Sequence, residues 1–215
     1  MAQTEQEHLE TLAEIRDLMQ RSTRFLSLSG LSSVFSGIFA LIGAGVAFWY
    51  LDLHFSTHEY YQYATDAQGN MRLPFVIFFF ADALTVLVLS LVVGYYFSWR
   101  KAQRYNLQMW DSTTYRMLEA LFVPLIAGGI FCLALLWQGR FGIIAPCTLI
   151  FYGLALINAS KYTLREVYYL GLLETFVGLI ASFWVGYGLL FWALGFGVLH
   201  IVYGWLMYNR YERTK

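Results

Sequence analysis

Six stretches of the chain are apolar for roughly twenty residues or more: 25–51, 73–99, 120–138, 141–159, 167–187 and 189–208. An α-helix needs about 20 such residues to cross a hydrocarbon layer about 30 Å thick. The runs lack period-two alternation and are too long for the strands of an outer-membrane barrel. The pattern therefore predicts an all-α, polytopic membrane protein with six transmembrane helices. The third and fourth runs are joined by little more than "QGR" at 138–140, and the fifth and sixth turn around "GYG" at 186–188. Links that short make antiparallel helical hairpins.

Besides the short links and the loop 160–166, four pieces lie outside the runs. Residues 1–24 carry Leu9, Leu12, Ile15 and Met19 at helical spacing, acids in the first half and arginines at the end. That predicts a short amphipathic helix, its charges matched to the helix dipole. It has no signal-peptide layout, so the first apolar run reads as a retained signal anchor. Residues 52–72 form a loop on the outer side, with "DAQGN" as a turn signal. The segment 100–118 reads as a basic cytoplasmic loop and 209–215 as a tail.

Charge sets the expected orientation. The N-terminal segment, the loops after runs two and four, and the tail together hold twelve Lys and Arg. The opposite side holds Arg72 and Arg140 alone. By the positive-inside rule both termini face the cytoplasm. All the tryptophans except Trp110 fall near a run end, as an aromatic belt requires.

Composition narrows the class further. The chain of 215 residues is 59% hydrophobic and 13% charged, far from the soluble average. Formal net charge is zero, so nothing points to nucleic acid. Cys132 and Cys147 both lie inside apolar runs, which argues against a disulfide framework.

Three ionisable residues interrupt the runs: Asp82, Glu174 and His200. A charge at the centre of a span costs about 2.5–3.5 kcal/mol on insertion scales, so such residues face the bundle, pair or stay protonated. Glu174 shares a helical face with Gly171 and Gly178, and His200 shares one with Gly197, Tyr203 and Gly204. The two lie at similar depth in adjacent spans, which makes a Glu174–His200 contact geometrically plausible. Asp82 has only Thr85 as a polar neighbour on its own face. Asp82, Glu174, His200, Thr85 and Tyr203 are thus the candidate ligand or ion site. Ser29, Ser33, Gly37, Gly171, Gly178, Gly197 and Gly204 are the candidate packing positions, since small residues let membrane helices approach closely.

Other chemistry is thin. His54 and His58 stand four apart before Glu59 without a third defined ligand, so no metal site is expected. The Gly-x-Ser-Gly nucleophile of a rhomboid protease is missing, as are a Walker A motif, CxxC and a dinucleotide fingerprint. No catalytic constellation or cofactor is expected. The inverted repeat of a transporter has its best match in "FALIGA" (39–44) against "LALINA" (154–159), and the remaining spans do not follow it.

The segment "RSTRFLSLSGLSS" followed by "GIFALIGA", within residues 12–44, resembles the opening of a family of uncharacterised bacterial six-helix membrane proteins. The resemblance implies an integral inner-membrane protein and carries no functional residues to transfer. Two readings of function follow. One is a small transport, channel or ligand-binding protein with its polar centre at Asp82, Glu174 and His200. The other is a membrane sensor or scaffold engaging a cytoplasmic protein through the N-terminal helix and the basic segment 100–118. The lipid bilayer is the expected partner in both, with a homo-oligomer or that cytoplasmic protein beside it.

Overall fold

A computed structural model describes residues 25, 27–51, 64–66, 68, 71–106 and 108–213. The expected helix over 1–24, most of the 52–72 loop, and His54, His58 and Glu59 lie outside the described residues. Within them the fold is all-helical, without a β-strand. Six helices are long and apolar enough to cross a membrane: α1 (Gly30–Tyr50), α2 (Leu73–Arg104), α3 (Ser112–Trp137), α4 (Phe141–Tyr162), α5 (Arg165–Phe183) and α6 (Val185–Tyr211).

Several helices overrun the apolar stretches that announce them, whereas α1 starts at Gly30 inside the run 25–51 and α5 ends at Phe183 inside the run 167–187. Helix α2 continues through the basic Arg100–Arg104, and α3 starts at Ser112. Most of the segment expected as the loop 100–118 is therefore helix. Hydropathy marks where a helix meets hydrocarbon, whereas its end is set by caps and turns. The Asp111 side chain caps α3, accepting from the Thr114 backbone N–H at 2.7 Å and from the Thr114 hydroxyl at 2.7 Å. The α3–α4 link is the three-residue turn Gln138–Arg140, with Gly139 at φ +70°, a left-handed position that suits glycine. Between α5 and α6 only Trp184 intervenes.

Packing separates a core from its flanks. The most apolar windows of α1, α4, α5 and α6 are 28–44% buried, against 0% for α2 and 6% for α3. Helix α1 meets α6 backbone to backbone: a Cβ at Gly204 would stand 2.6 Å from the Val34 nitrogen and 2.7 Å from the Gly30 oxygen. One at Gly37 would stand 2.6 Å from the Gly197 oxygen. Helices α4 and α5 meet in the same way through Gly153 and Gly171, and Gly178 lies against Leu149 and Ile150. The flanking α2 lies along α1, where Tyr50 stacks on Phe78 and Phe35 on Phe97. Its Phe75 joins Leu51, Ala64 and Phe141 in a buried cluster. Helix α3 rests on α4, with Gly128 against the Phe151 ring.

Polar bonds tie one end of the bundle together. Glu212, just past α6, accepts from the Gly30 backbone N–H at 2.7 Å and from the Ser29 hydroxyl at 3.1 Å. Lys101 near the end of α2 donates to the Leu28 carbonyl at 2.6 Å and pairs with Glu212 at 3.4 Å. Phe25 N–H donates to the Tyr162 carbonyl at 2.7 Å, and the Thr163 hydroxyl donates back to the Phe25 carbonyl at 2.9 Å. Arg210 and the Tyr211 hydroxyl both donate to Glu166 Oε1 at 2.9 Å. One carboxylate thus joins the start of α1, the end of α2 and the end of α6. Glu212→Ala is expected to lower unfolding free energy by about 1.5–3 kcal/mol, the range for hydrogen bonds to charged groups. Denaturant unfolding of the purified protein checks this, and Glu212→Gln should fall between the two because the amide oxygen still accepts.

Candidate functional site

Each residue of the central site comes from near the middle of a core helix. Glu174 lies nine residues into α5, Tyr152 ten residues before the end of α4, and His200 eleven before the end of α6. At 1.5 Å per residue those are depths of about 14, 15 and 17 Å from the same basic end. Small residues clear the way. Gly153 and Gly171 draw α4 onto α5, and Gly195 lets α6 close over the Glu174 carboxyl, where a Cβ would collide with Glu174 Oε2 and Leu149 Cδ2.

The resulting geometry is a short polar chain in an apolar core. Glu174 is 0% exposed and His200 6%. His200 Nδ1 stands 3.2 Å from Glu174 Oε1 and 3.2 Å from the Gly195 carbonyl oxygen of its own helix. Only the second approach has hydrogen-bond geometry, and among the described residues neither Glu174 oxygen is hydrogen-bonded. On the other edge of the ring, His200 Nε2 and the Tyr152 hydroxyl are hydrogen-bonded at 2.9 Å. Phe196 packs on both Tyr152 and His200, with ring centroids 5.0 and 6.1 Å away, and Trp192 extends the aromatic row.

Helix α6 is irregular at this point. Residues Ala193–Leu199 are wound as π-helix and His200 follows immediately. A π-turn bonds i to i+5 rather than i to i+4, and such turns recur at functional sites. It brings the carbonyl of Gly195 to the level of residue 200. The backbone around His200 is also tied to α1, because the Ser33 hydroxyl donates to the His200 carbonyl at 3.0 Å.

The structure brings Glu174 and His200 together and places Asp82 elsewhere. Asp82 is partly exposed on α2 and faces Gly43 of α1, where a Cβ would stand 3.2 and 3.3 Å from its carboxylate oxygens. Among the described residues no hydrogen bond or ion pair reaches it. Thr85 does not serve it either, since its hydroxyl donates to the Ala81 carbonyl at 2.7 Å. Tyr203 lies one turn beyond His200, packed against the cluster of Leu156, Leu164, Val167, Leu170 and Met207. Ser29 and Ser33 spend their hydroxyls on Glu212 and on the His200 carbonyl. Cys132 and Cys147 are free thiols on α3 and α4. Among the described residues no group of three His, Cys, Asp or Glu side chains is placed to hold a metal ion.

Tyr152 and Gly195 are the site residues that sequence reasoning does not single out. Tyr152 is one of sixteen tyrosines and stands inside an apolar run. No family model, no curated protein and no solved structure matches this chain.

Proposed function

We propose that this chain is a bacterial inner-membrane protein, both termini cytoplasmic, that carries out proton-linked transport or ligand binding through Glu174, His200 and Tyr152. The observation that carries the reading is the carboxyl of Glu174, buried at 0% exposure, 3.2 Å from His200 Nδ1 and without a hydrogen bond among the described residues. Intramembrane acids in that setting mark ion and proton pathways. The orientation is supported by the bundle end that gathers exposed Arg100, Arg104, Arg116, Lys161, Arg165, Arg210 and Arg213, against Arg72 and Arg140 at the other. Asp82 contributes a second, separate polar position on the α1–α2 face.

Proteoliposomes containing a trapped pH-indicator dye test the reading. A pH step is applied alone and then with a panel of small amines, carboxylates and sugars outside. Wild-type protein is expected to move protons at least several-fold faster than empty vesicles under one of these conditions. Glu174→Gln abolishes the gain and Asp82→Asn leaves most of it. Wild-type flux equal to that of empty vesicles throughout, or flux untouched by Glu174→Gln, rules the reading out.

A further inference from the structure

The proton inventory of the central site follows from its hydrogen bonds, and it deepens the reading just proposed. The bonds on both edges of the His200 ring are satisfied by a neutral imidazole. Nδ1–H then donates to the Gly195 carbonyl at 3.2 Å, and the Tyr152 hydroxyl donates to Nε2 at 2.9 Å. An imidazolium would need Nε2–H to donate to the Tyr152 oxygen, leaving the Tyr152 hydrogen without an acceptor among the described residues. It would also aim its Nδ1–H at a neutral carbonyl while the carboxylate beside it stayed without a hydrogen bond. Two buried ions so poorly joined are costlier than one orphaned neutral hydroxyl. The balance places the proton on Glu174.

The structure assigns Glu174 as a neutral carboxylic acid beside a neutral His200, a one-proton store whose discharge moves the His200 Nδ1–H bond from the Gly195 carbonyl to Glu174 Oε1. Discharge breaks the Glu174 O–H bond and passes the proton to water. The remaining carboxylate then competes for the nearest donor. That donor is Nδ1–H, which already stands 3.2 Å from Oε1 and from the Gly195 oxygen alike. A small rotation of the ring changes its partner, with Phe196 stacked on its face throughout. Once released, the Gly195 carbonyl no longer has the side-chain bond that accompanies the π-turn. Gly195 is the pivot, because its missing side chain is what lets the Glu174 carboxyl reach this position. Helix α1 holds the His200 carbonyl through Ser33 and packs Gly37 on Gly197.

The groups facing His200 are few. Helix α5 presents Glu174, α4 presents the Tyr152 hydroxyl, and α1 presents the neutral Ser33 hydroxyl. The next charges along α5 and α6, Glu166 and Arg210, are paired with each other.

The test uses full-length protein in nanodiscs. Difference infrared spectra are expected to show a protonated carboxyl band at neutral pH that Glu174→Gln removes and Asp82→Asn retains. Nitrogen NMR should report His200, assigned by its loss in His200→Asn, as neutral and protonated on Nδ1. Raising the pH should remove the carboxyl band and shift the Nδ1–H signal in the same titration. Tyr152→Phe should keep the carboxyl band while moving only the histidine signal. An ionised Glu174 together with an imidazolium at neutral pH overturns the assignment and leaves proton-linked transport standing. A protonated Glu174 in a protein without flux upholds the assignment and removes the transport reading.

Discussion

His200→Ala is expected to lower the stability of the bundle by about 2–5 kcal/mol, the range for truncating a large buried side chain and leaving its neutral polar partners unsatisfied. Three losses coincide at that position. The Tyr152 hydroxyl loses its partner at 2.9 Å, the Gly195 carbonyl loses its side-chain donor, and Glu174 loses the group nearest its carboxyl. The aromatic row of Trp192, Phe196 and His200 also loses its last ring. Adding Glu174→Leu to His200→Ala should recover part of the loss, because the apolar side chain leaves no polar group to satisfy. Unfolding of the purified protein in graded sodium dodecyl sulfate, run as a double-mutant cycle, measures the coupling. A cost below about 1 kcal/mol for His200→Ala would be that of an ordinary surface substitution and would contradict the buried geometry.

The second large effect belongs to the α4–α5 seam. Gly153→Ala should destabilise by about 1–3 kcal/mol, the usual cost of forcing a methyl into a well-packed interface. Its Cβ would stand 2.6 Å from the Gly171 oxygen and 2.6 Å from the Thr175 nitrogen, and would also collide with the Thr175 hydroxyl. Two of those neighbours are backbone atoms, so no rotamer change relieves the contact and the helices must separate. The same substitution at Gly94 or Gly129 meets nothing within 4 Å. There the alanine should be neutral, or stabilising by up to about 1 kcal/mol through helix propensity. Comparing the three variants in one unfolding assay distinguishes tight packing from a general intolerance of the membrane helices to substitution.

The six helices are legible in the sequence because hydrocarbon imposes a length and a composition that few soluble helices meet. Their ends are less so. The Asp111 cap and the basic last turn of α2 are polar features, and a hydropathy reading stops before it reaches them. At the site, similar depth and shared small-residue faces bring Glu174 and His200 under suspicion as neighbours. Their rotational phase depends on the π-turn, and nothing in "ALGFGVL" announces a change of helical pitch. Tyr152 escapes notice because an aromatic residue in an apolar run is the commonest thing in this chain. Asp82 draws the eye as the least paired acid. In the structure it is still unpaired among the described residues, set on the α1–α2 face away from the chain formed by Glu174, His200 and Tyr152.

Helix α2 is longer than a hydrocarbon layer requires. Its 32 residues make a rod about 48 Å long, and the apolar part alone exceeds a hydrocarbon layer of about 30 Å. Its neighbour α1, at 21 residues, is about 32 Å long and fits that layer with little tilt. An isolated helix relieves such a mismatch by leaning over. Here α2 is pinned at one end by Lys101 and at the other by Phe75, and so cannot lean independently of the bundle. In the membrane setting proposed above, the adjustment would fall on the lipid, with the bilayer thicker along the outer face of α2 than around α5.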